Sequence, residues 1–422
     1  MLNASYMKNR ILFVIPSLPW PLVSGGLQAL FNGIKAMESV ADIYILCTLN
    51  PQVGKEKAHE ELKAQIANIK GIFQYVEKKK EWSKRKLAKR ICAKIINSWF
   101  SPTPSEVFEA EVSGTGLAGH SEDYYCLIKE IIERYDINMV QVEMLTCIDA
   151  VIAIPPHVKK LFVHHELGFV RNRLLFEQQS QKNCSGQLLC VLEKTKEIAL
   201  LNQYDAVISL STIDKDKLLE AGVTSPIFPS FAVVNTSTDI MLSQKNSDKV
   251  LSFVGPEFHT PNKIGMEWFL NHVWGHLKQI SPDYKLNIIG VWSKQTSSQW
   301  TSQYPDIHFL GFVEDLAEAL YGSVMIVPIF VGSGIRMKIL EAMSIGVPFV
   351  TTTVGAEGIP VTDGVDSVIA DTPEAYVSGI QKLEDAETRK MMVENGRKLL
   401  LSNYSFEKFK TDRIEIVKAL LS

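Results

Sequence analysis

Short apolar runs punctuate the first half of the chain at intervals suited to buried parallel strands. "RILFVIPSL" (10–18) ends in turn residues and reads as a strand covered on both faces. In "WPLVSGGLQALFNGIKAM" (20–37) the period changes. Gly25-Gly26 breaks the run, and Leu27, Leu30, Phe31 and Ile34 recur at helical spacing. "ADIYILCTL" (41–49) returns to a strand pattern. Strand, glycine turn, helix and strand make a βαβ unit. The runs "INMVQVEML" (137–145), "KKLFVHHEL" (159–167) and "YDAVISLS" (204–211) extend it, with helical stretches between them. An α/β domain with a mostly parallel sheet is expected over residues 1–232.

Residues 233–248, "VVNTSTDIMLSQKNSD", are polar and turn-rich and read as a linker. The alternation then restarts. "KVLSFVGP", "KLNIIGVW", "IHFLGFV", "VMIVPIF" and "VPFVTTTV" have strand character. "NKIGMEWFLNHVWGHLKQI", "LAEALYG" and "IRMKILEAMSI" have helical character. This predicts a second doubly wound domain over 249–404. The last segment, 405–422, is amphipathic, with Ser405 as N-cap and Glu407 close behind, and is expected to form a final helix. Two such sheets in tandem each present a crevice at the carboxyl ends of their strands. Facing each other, they enclose a cleft for two substrates, and its closure excludes water.

The chain has 422 residues, 46% hydrophobic and 22% charged, enough to bury a sizeable core. A net charge of −3 gives no signal for nucleic acid. The six cysteines, at 47, 92, 126, 147, 184 and 190, form no CxxC pair, so metal and redox motifs are unsupported and free thiols in a cytoplasmic protein are expected. The run "ILFVIPSLPWPLV" is broken by Pro16, Pro19 and Pro21, too soon for a signal or a membrane span.

Candidate chemistry concentrates in "VGSGIRMKILEAMSIGVPFV" (331–350). Gly332, Ser333 and Gly334 form a turn after a strand, and a helix is expected from near Ile335 to Gly346, which suits a C-cap. Glycines let backbone N–H groups approach an anion at the positive end of a helix. Arg336 and Lys338 add two cations, and Glu341, one turn on, suits ribose hydroxyls. The ligand this describes is a nucleoside diphosphate. A plain glycine turn followed by a surface ion pair would produce the same string.

That stretch, with "FVGPEFHTPNKIGMEWFL" before it and "SGGLQALFNGIKAM" near the start, resembles the retaining glycosyltransferases of family 4, which have the GT-B fold. The resemblance implies two Rossmann-like domains facing across a cleft, with the last helix crossing back to the first domain. It implies a UDP- or GDP-sugar as donor, bound by the C-terminal domain without a metal, and a glycan or lipid-linked hydroxyl as acceptor. Glu341 matches the second acid of the family's paired-glutamate motif, and Ser333 stands where the first acid is usual. Lys263 is the remaining cation where the family often has arginine near Pro256. Gly25 and Gly26 match the glycine loop that approaches the donor phosphates from the first domain. Glu143 stands where many relatives have a histidine touching the transferred sugar. A nucleotide-sugar epimerase or hydrolase, and a non-catalytic nucleotide-binding subunit, are the alternatives.

Three features complete the reading. Glu143 ends a strand, as a base toward the acceptor or as a structural hydrogen-bond partner. "LFVHHELGFVRNR" carries His164 and His165, which on a strand point apart and so share no ion; they read as cleft residues, with His165 or Arg171 on the acceptor side, or as histidines satisfied at a strand end. Residues 78–100 interleave lysines and arginines with Leu87, Ile91, Ile95 and Trp99. This is a basic amphipathic helix suited to an anionic membrane surface, or a solvated face. It would place the protein peripherally on the inner face of the plasma membrane.

Overall fold

The computed structural model of the chain describes residues 9–48, 55–76, 119–178, 182–234 and 249–422. Two parallel sheets organise them. The first contains β1 (Asn9–Ile15), β2 (Ala41–Cys47), β3 (Ile69–Gln74), β4 (Met139–Glu143), β5 (Lys159–His164), β6 (Ala206–Ser209) and β7 (Ile227–Pro229), in the order β3-β2-β1-β4-β5-β6-β7. The second contains β8 (Val250–Val254), β9 (Lys285–Ile289), β10 (Ile307–Gly311), β11 (Val324–Val327), β12 (Phe349–Thr351) and β13 (Val368–Ile369), in the order β10-β9-β8-β11-β12-β13. Strand order reverses between β1 and β4, and again between β8 and β11. Those two points are where open α/β sheets leave a crevice.

Side chains alternate across each strand and feed layers on both faces. Ile11, Phe13 and Ile15 of β1 pack with Leu30 and Ile34 of the helix Gly25–Met37. Leu12 and Val14 pack with Tyr124, Ile128 and Ile131 of the helix Glu122–Arg134. The first of these cores continues into the second domain through Met325, Val327, Ile339, Leu340 and Met343, so an apolar seam joins the halves.

The last helix, Phe406–Leu421, crosses back to the first domain. Ser405 caps it, accepting a hydrogen bond from the Lys408 N–H. Phe409 and Val417 join the core of Leu30 and Ile34. Arg413 is buried, donates from Nε to Ser230 Oγ at 2.9 Å, and stacks over Phe409.

Some expectations change. The helical stretch 262–280 is one helical path in three pieces: Thr260–Phe269, a π-turn over Leu270–Trp274, and Gly275–Ile280. Val233 and Val234, assigned to the linker by their polar neighbours, are buried, and Asn32 Nδ2 donates to the Val233 carbonyl at 3.0 Å. The basic stretch 78–100 lies outside the described residues. Among the described residues no helix is long and apolar enough to cross a membrane.

Replacing Arg413 by alanine would remove the hydrogen bonds to Ser230 from a buried position and cost about 1–3 kcal/mol. Hydrogen exchange should show 406–421 losing protection before either sheet. Unchanged protection there would mean that packing alone holds the crossing helix.

Candidate functional site

The loop from Pro328 to Arg336 leaves the carboxyl end of β11 at the second switch point. The helix Met337–Ile345 begins two residues later than the spacing suggested, with Arg336 as its N-cap in an extended conformation. Within the loop Gly334 has φ +75°, and a Cβ there would lie 2.3 Å from the His165 carbonyl oxygen. Ser333, 3% exposed, donates from Oγ to the Leu167 carbonyl at 3.1 Å. The turn is therefore seated against residues 165–167, at the carboxyl end of β5, on the seam between the domains.

Two cations crowd the start of this helix. Arg336 donates from Nη1 to the carbonyls of Ser333 and Gly334. Its Nε and Nη2, the edge that forks around an oxyanion, are buried and make no hydrogen bond among the described residues. Burial lowers the guanidinium from its ordinary value, against the neighbouring charges of Glu166, Glu357 and Asp214. Lys338 donates to Asn262 Oδ1 at 2.9 Å and lies 4.4 Å from the centre of the Phe253 ring. Burial depresses its ammonium to about 7, Arg336 adds to the shift, and Glu341 opposes it. His259 is lowered to about 4, first by desolvation, with Lys338, Arg336 and Arg171 adding to the shift and Glu166 opposing it. A helix N-terminus and two desolvated cations together make a strong anion seat.

Glu341 lies one turn further along. Burial pushes its carboxyl up, opposed by a hydrogen bond from Gln28 and by Lys338. Gln28 belongs to the first domain, and its Nε2 donates to Glu341 Oε1 at 2.8 Å. The helix carrying Gln28 starts at Gly25, where a Cβ would fall 2.5 Å from Met337 Cβ. Only a residue without a side chain allows the two helix starts to approach so closely.

The first domain's switch point supplies Glu143, 1% exposed at the end of β4. Its oxygens are engaged by Gln141 Nε2 at 2.7 Å and His165 Nε2 at 2.8 Å. So enclosed, Glu143 is placed to orient His165 rather than to meet an acceptor itself. His164 turns the other way, to Glu197 at 2.9 Å. Arg171 pairs with Glu166 at 2.7 Å.

Of the residues singled out by sequence, Gly25, Gly26, Gly332, Ser333, Gly334, Arg336, Lys338, Glu341, His165 and Arg171 gather around this seam. Lys263 does not join them. Its side chain is 43% exposed and pairs with Glu257 at 3.2 Å, while Glu257 also accepts from Thr296 and Ser293. The carboxylate holds that cation on the outer side of the helix. Sequence reasoning missed Gln28, His259 and Asn262. Asn262 had one available signal, a polar side chain just after Pro261 at the helix start. Among the described residues no group of three or more His, Cys, Asp or Glu could hold a metal ion.

Residues 248–385 match the family model described as Glycosyl transferases group 1. A curated relative, an uncharacterized 44.6 kDa protein in the cps region of Klebsiella pneumoniae, is 28% identical over 136 residues, 30% of this chain and 35% of that relative. The chain thus spans about a third of that relative's length. Solved structures align along nearly the whole chain. Sucrose-phosphate synthase from Thermosynechococcus elongatus has a TM-score of 0.67 at 13% identity, covering 98% of this chain and 99% of that one. Anabaena HepE in complex with UDP-glucose has a TM-score of 0.64 at 13% identity, covering 97% and 99%. A TarM variant from S. aureus, in complex with Fondaparinux, alpha-GlcNAc-glycerol and UDP, has a TM-score of 0.65 at 10% identity, covering 98% and 100%. These likenesses establish the fold: it is GT-B, and the second Rossmann-like domain is the part matched by the group 1 glycosyltransferase model.

Proposed function

We propose that the chain is a retaining glycosyltransferase that moves a hexosyl group from a UDP- or GDP-sugar to a hydroxyl of a glycan or lipid-linked acceptor. The observation that carries this reading is the half-buried Arg336, its Nε and Nη2 buried and unpaired among the described residues, beside Lys338 at a helix N-terminus facing the glycine turn of the other domain. The group 1 match over 248–385 supports the reaction class. The nucleotides named with HepE and TarM support the donor class, and the cps-region relative supports a role in surface polysaccharide synthesis. A peripheral membrane position on the cytoplasmic side, through residues 78–100, belongs to the same proposal.

In this mechanism the bond from the anomeric carbon to the diphosphate oxygen breaks. Arg336, Lys338 and the loop N–H groups take up the charge that develops on the leaving group, an effect of roughly 3–4 kcal/mol per well-placed donor. The acceptor oxygen forms its bond from the same face, and its proton passes to the departing phosphate. No protein base is required, in keeping with the enclosed carboxylate of Glu143. Glu341 holds the ribose and His165 stands on the acceptor side. One observation favours a second reading: Ser333, at the position of the family's first acid, spends its hydroxyl on Leu167. A nucleotide-binding subunit without turnover would tolerate that, and product analysis separates it, and an epimerase or hydrolase, from transfer.

The assay is turnover of UDP- and GDP-sugars with glycan acceptors. Glu341→Ala should weaken donor binding roughly 10- to 100-fold. Arg336→Ala should also lower the rate constant of transfer, by roughly 100- to 1000-fold. Equal and negligible effects of both would end the assignment.

Lys338 sets a pH dependence. An anionic diphosphate favours the ammonium form, so binding raises a pKa that is about 7 in the empty site. Affinity should therefore be full below that value and decline as pH rises through it. On the acid side, protonation of Glu341, whose carboxyl is raised, removes the ribose acceptor. In calorimetry with UDP, Lys338→Met should flatten the alkaline limb. An unchanged alkaline limb would exclude Lys338 from the anion seat.

A further inference from the structure

We infer that Gln28 is a donor-positioning residue: its amide, carried from the opposite domain, holds one oxygen of Glu341 so that the other meets the ribose, tying nucleoside recognition to cleft closure. The inference rests on the donor-site reading above.

The geometry is a two-rung ladder between helix starts. Gly25 meets Met337, with no Cβ to separate them. Gln28, three residues on, lies on the same face of its helix, and Glu341, four residues beyond Met337, lies on the same face of the other. The first rung therefore aligns the second, in which Gln28 Nε2 donates to Glu341 Oε1 at 2.8 Å. The Ser24 hydroxyl accepts from the Leu27 N–H and fixes where the helix of Gln28 begins.

A neutral amide is the partner this carboxylate needs. A buried carboxylate without hydrogen bonds would take up a proton and could not accept from two ribose hydroxyls. A cation in place of Gln28 would satisfy it too fully and compete with the ligand. The amide leaves the negative charge in place and the second oxygen available. The charged groups around Glu341 are few. Lys338 is on its own helix. The helix Ala386–Asn403, packed behind, places Arg397 on the Ser344 carbonyl. The helix of Gln28 carries one charge, Lys35 in its last turn, which is paired with Glu38. The hydrogen bond joins the two domains, so a nucleoside that needs an oriented Glu341 also favours their contact.

The test is calorimetry on the full chain with UDP, GDP and pyrophosphate at pH 5.5, 7 and 8.5. The proteins are wild type, Gln28→Ala, Gln28→Met and Gln28→Glu, each checked by thermal unfolding without ligand. Gln28→Ala and Gln28→Met should weaken the preferred nucleotide roughly tenfold and change pyrophosphate by less than about twofold. With the amide gone, Glu341 takes up a proton at higher pH, so the acid limb of nucleotide affinity should move upward. Gln28→Glu should bind nucleotide worst at pH 8.5, where two carboxylates face each other, and recover toward wild type at pH 5.5. There a shared proton restores a donor. If wild type binds UDP or GDP and the Gln28 variants bind it equally well or more tightly, with an unshifted acid limb, the inference is overturned and the donor site stands. If wild type binds neither nucleotide, the donor-site reading fails and takes this one with it.

Discussion

Desolvated positive charge without a directly paired carboxylate among the described residues is the constraint on which the rest of the structure depends. Arg336 and Lys338 share one helix start, burial lowers the pKa of both, Arg336 adds to the lowering of Lys338, and the acids nearby are already engaged with other groups. Glu166 holds Arg171, and Glu341 holds Gln28. The protein tolerates the arrangement by giving the cations neutral partners: carbonyls of the loop, the side-chain oxygen of Asn262, the face of Phe253. Neutral partners satisfy donors without cancelling charge, so an attractive potential for an anion survives folding. A fully compensated pair would stabilise the empty protein more and bind a diphosphate less.

The two sheets deliver that charge to a place where it acts strongly. The first domain's switch point lies between β1 and β4, and the second's between β8 and β11. One carries the glycine turn and Glu143, the other the Ser333 loop and the cations. Bringing them face to face removes water from between them and lowers the local dielectric, which magnifies each charge. Close approach is secured by absent side chains at Gly25 and Gly334, by the hydroxyl of Ser333, and by an apolar seam that runs through both domains. The crossing helix closes the back of the same unit, with Phe409 and Val417 in the core that holds the helix of Gln28.

What the amino-acid sequence disclosed follows from how local each feature is. β1, β2, β4, β5 and β6 were legible because strands covered on both faces are nearly continuous apolar runs. β3, "IKGIFQ", was not, because it is a half-buried edge strand containing Gly71 and Lys70, and β7 is only three residues long. The π-turn at Leu270–Trp274 leaves the pattern of side chains undisturbed and has no sequence signature of its own. Arg336, Lys338 and Glu341 were visible together because one helix start holds all three. Gln28 was invisible because its partner is 313 residues away. Glu143 and His165 were each visible, but not as a pair. Their meeting depends on the register of β4 against β5, which sets Glu143 beside Val163, so that His165, two residues on, lies on the same face.

Ser333 shows how one side chain redistributes work around such a site. A hydroxyl can donate to the Leu167 carbonyl, and it does. A carboxylate cannot donate. At the same position it would set negative charge against a buried carbonyl oxygen and push the loop off the first domain. The serine thus gives this chain a loop that locks against residues 165–167. The same lock holds His165, whose carbonyl abuts Gly334 and whose imidazole Glu143 holds in one orientation.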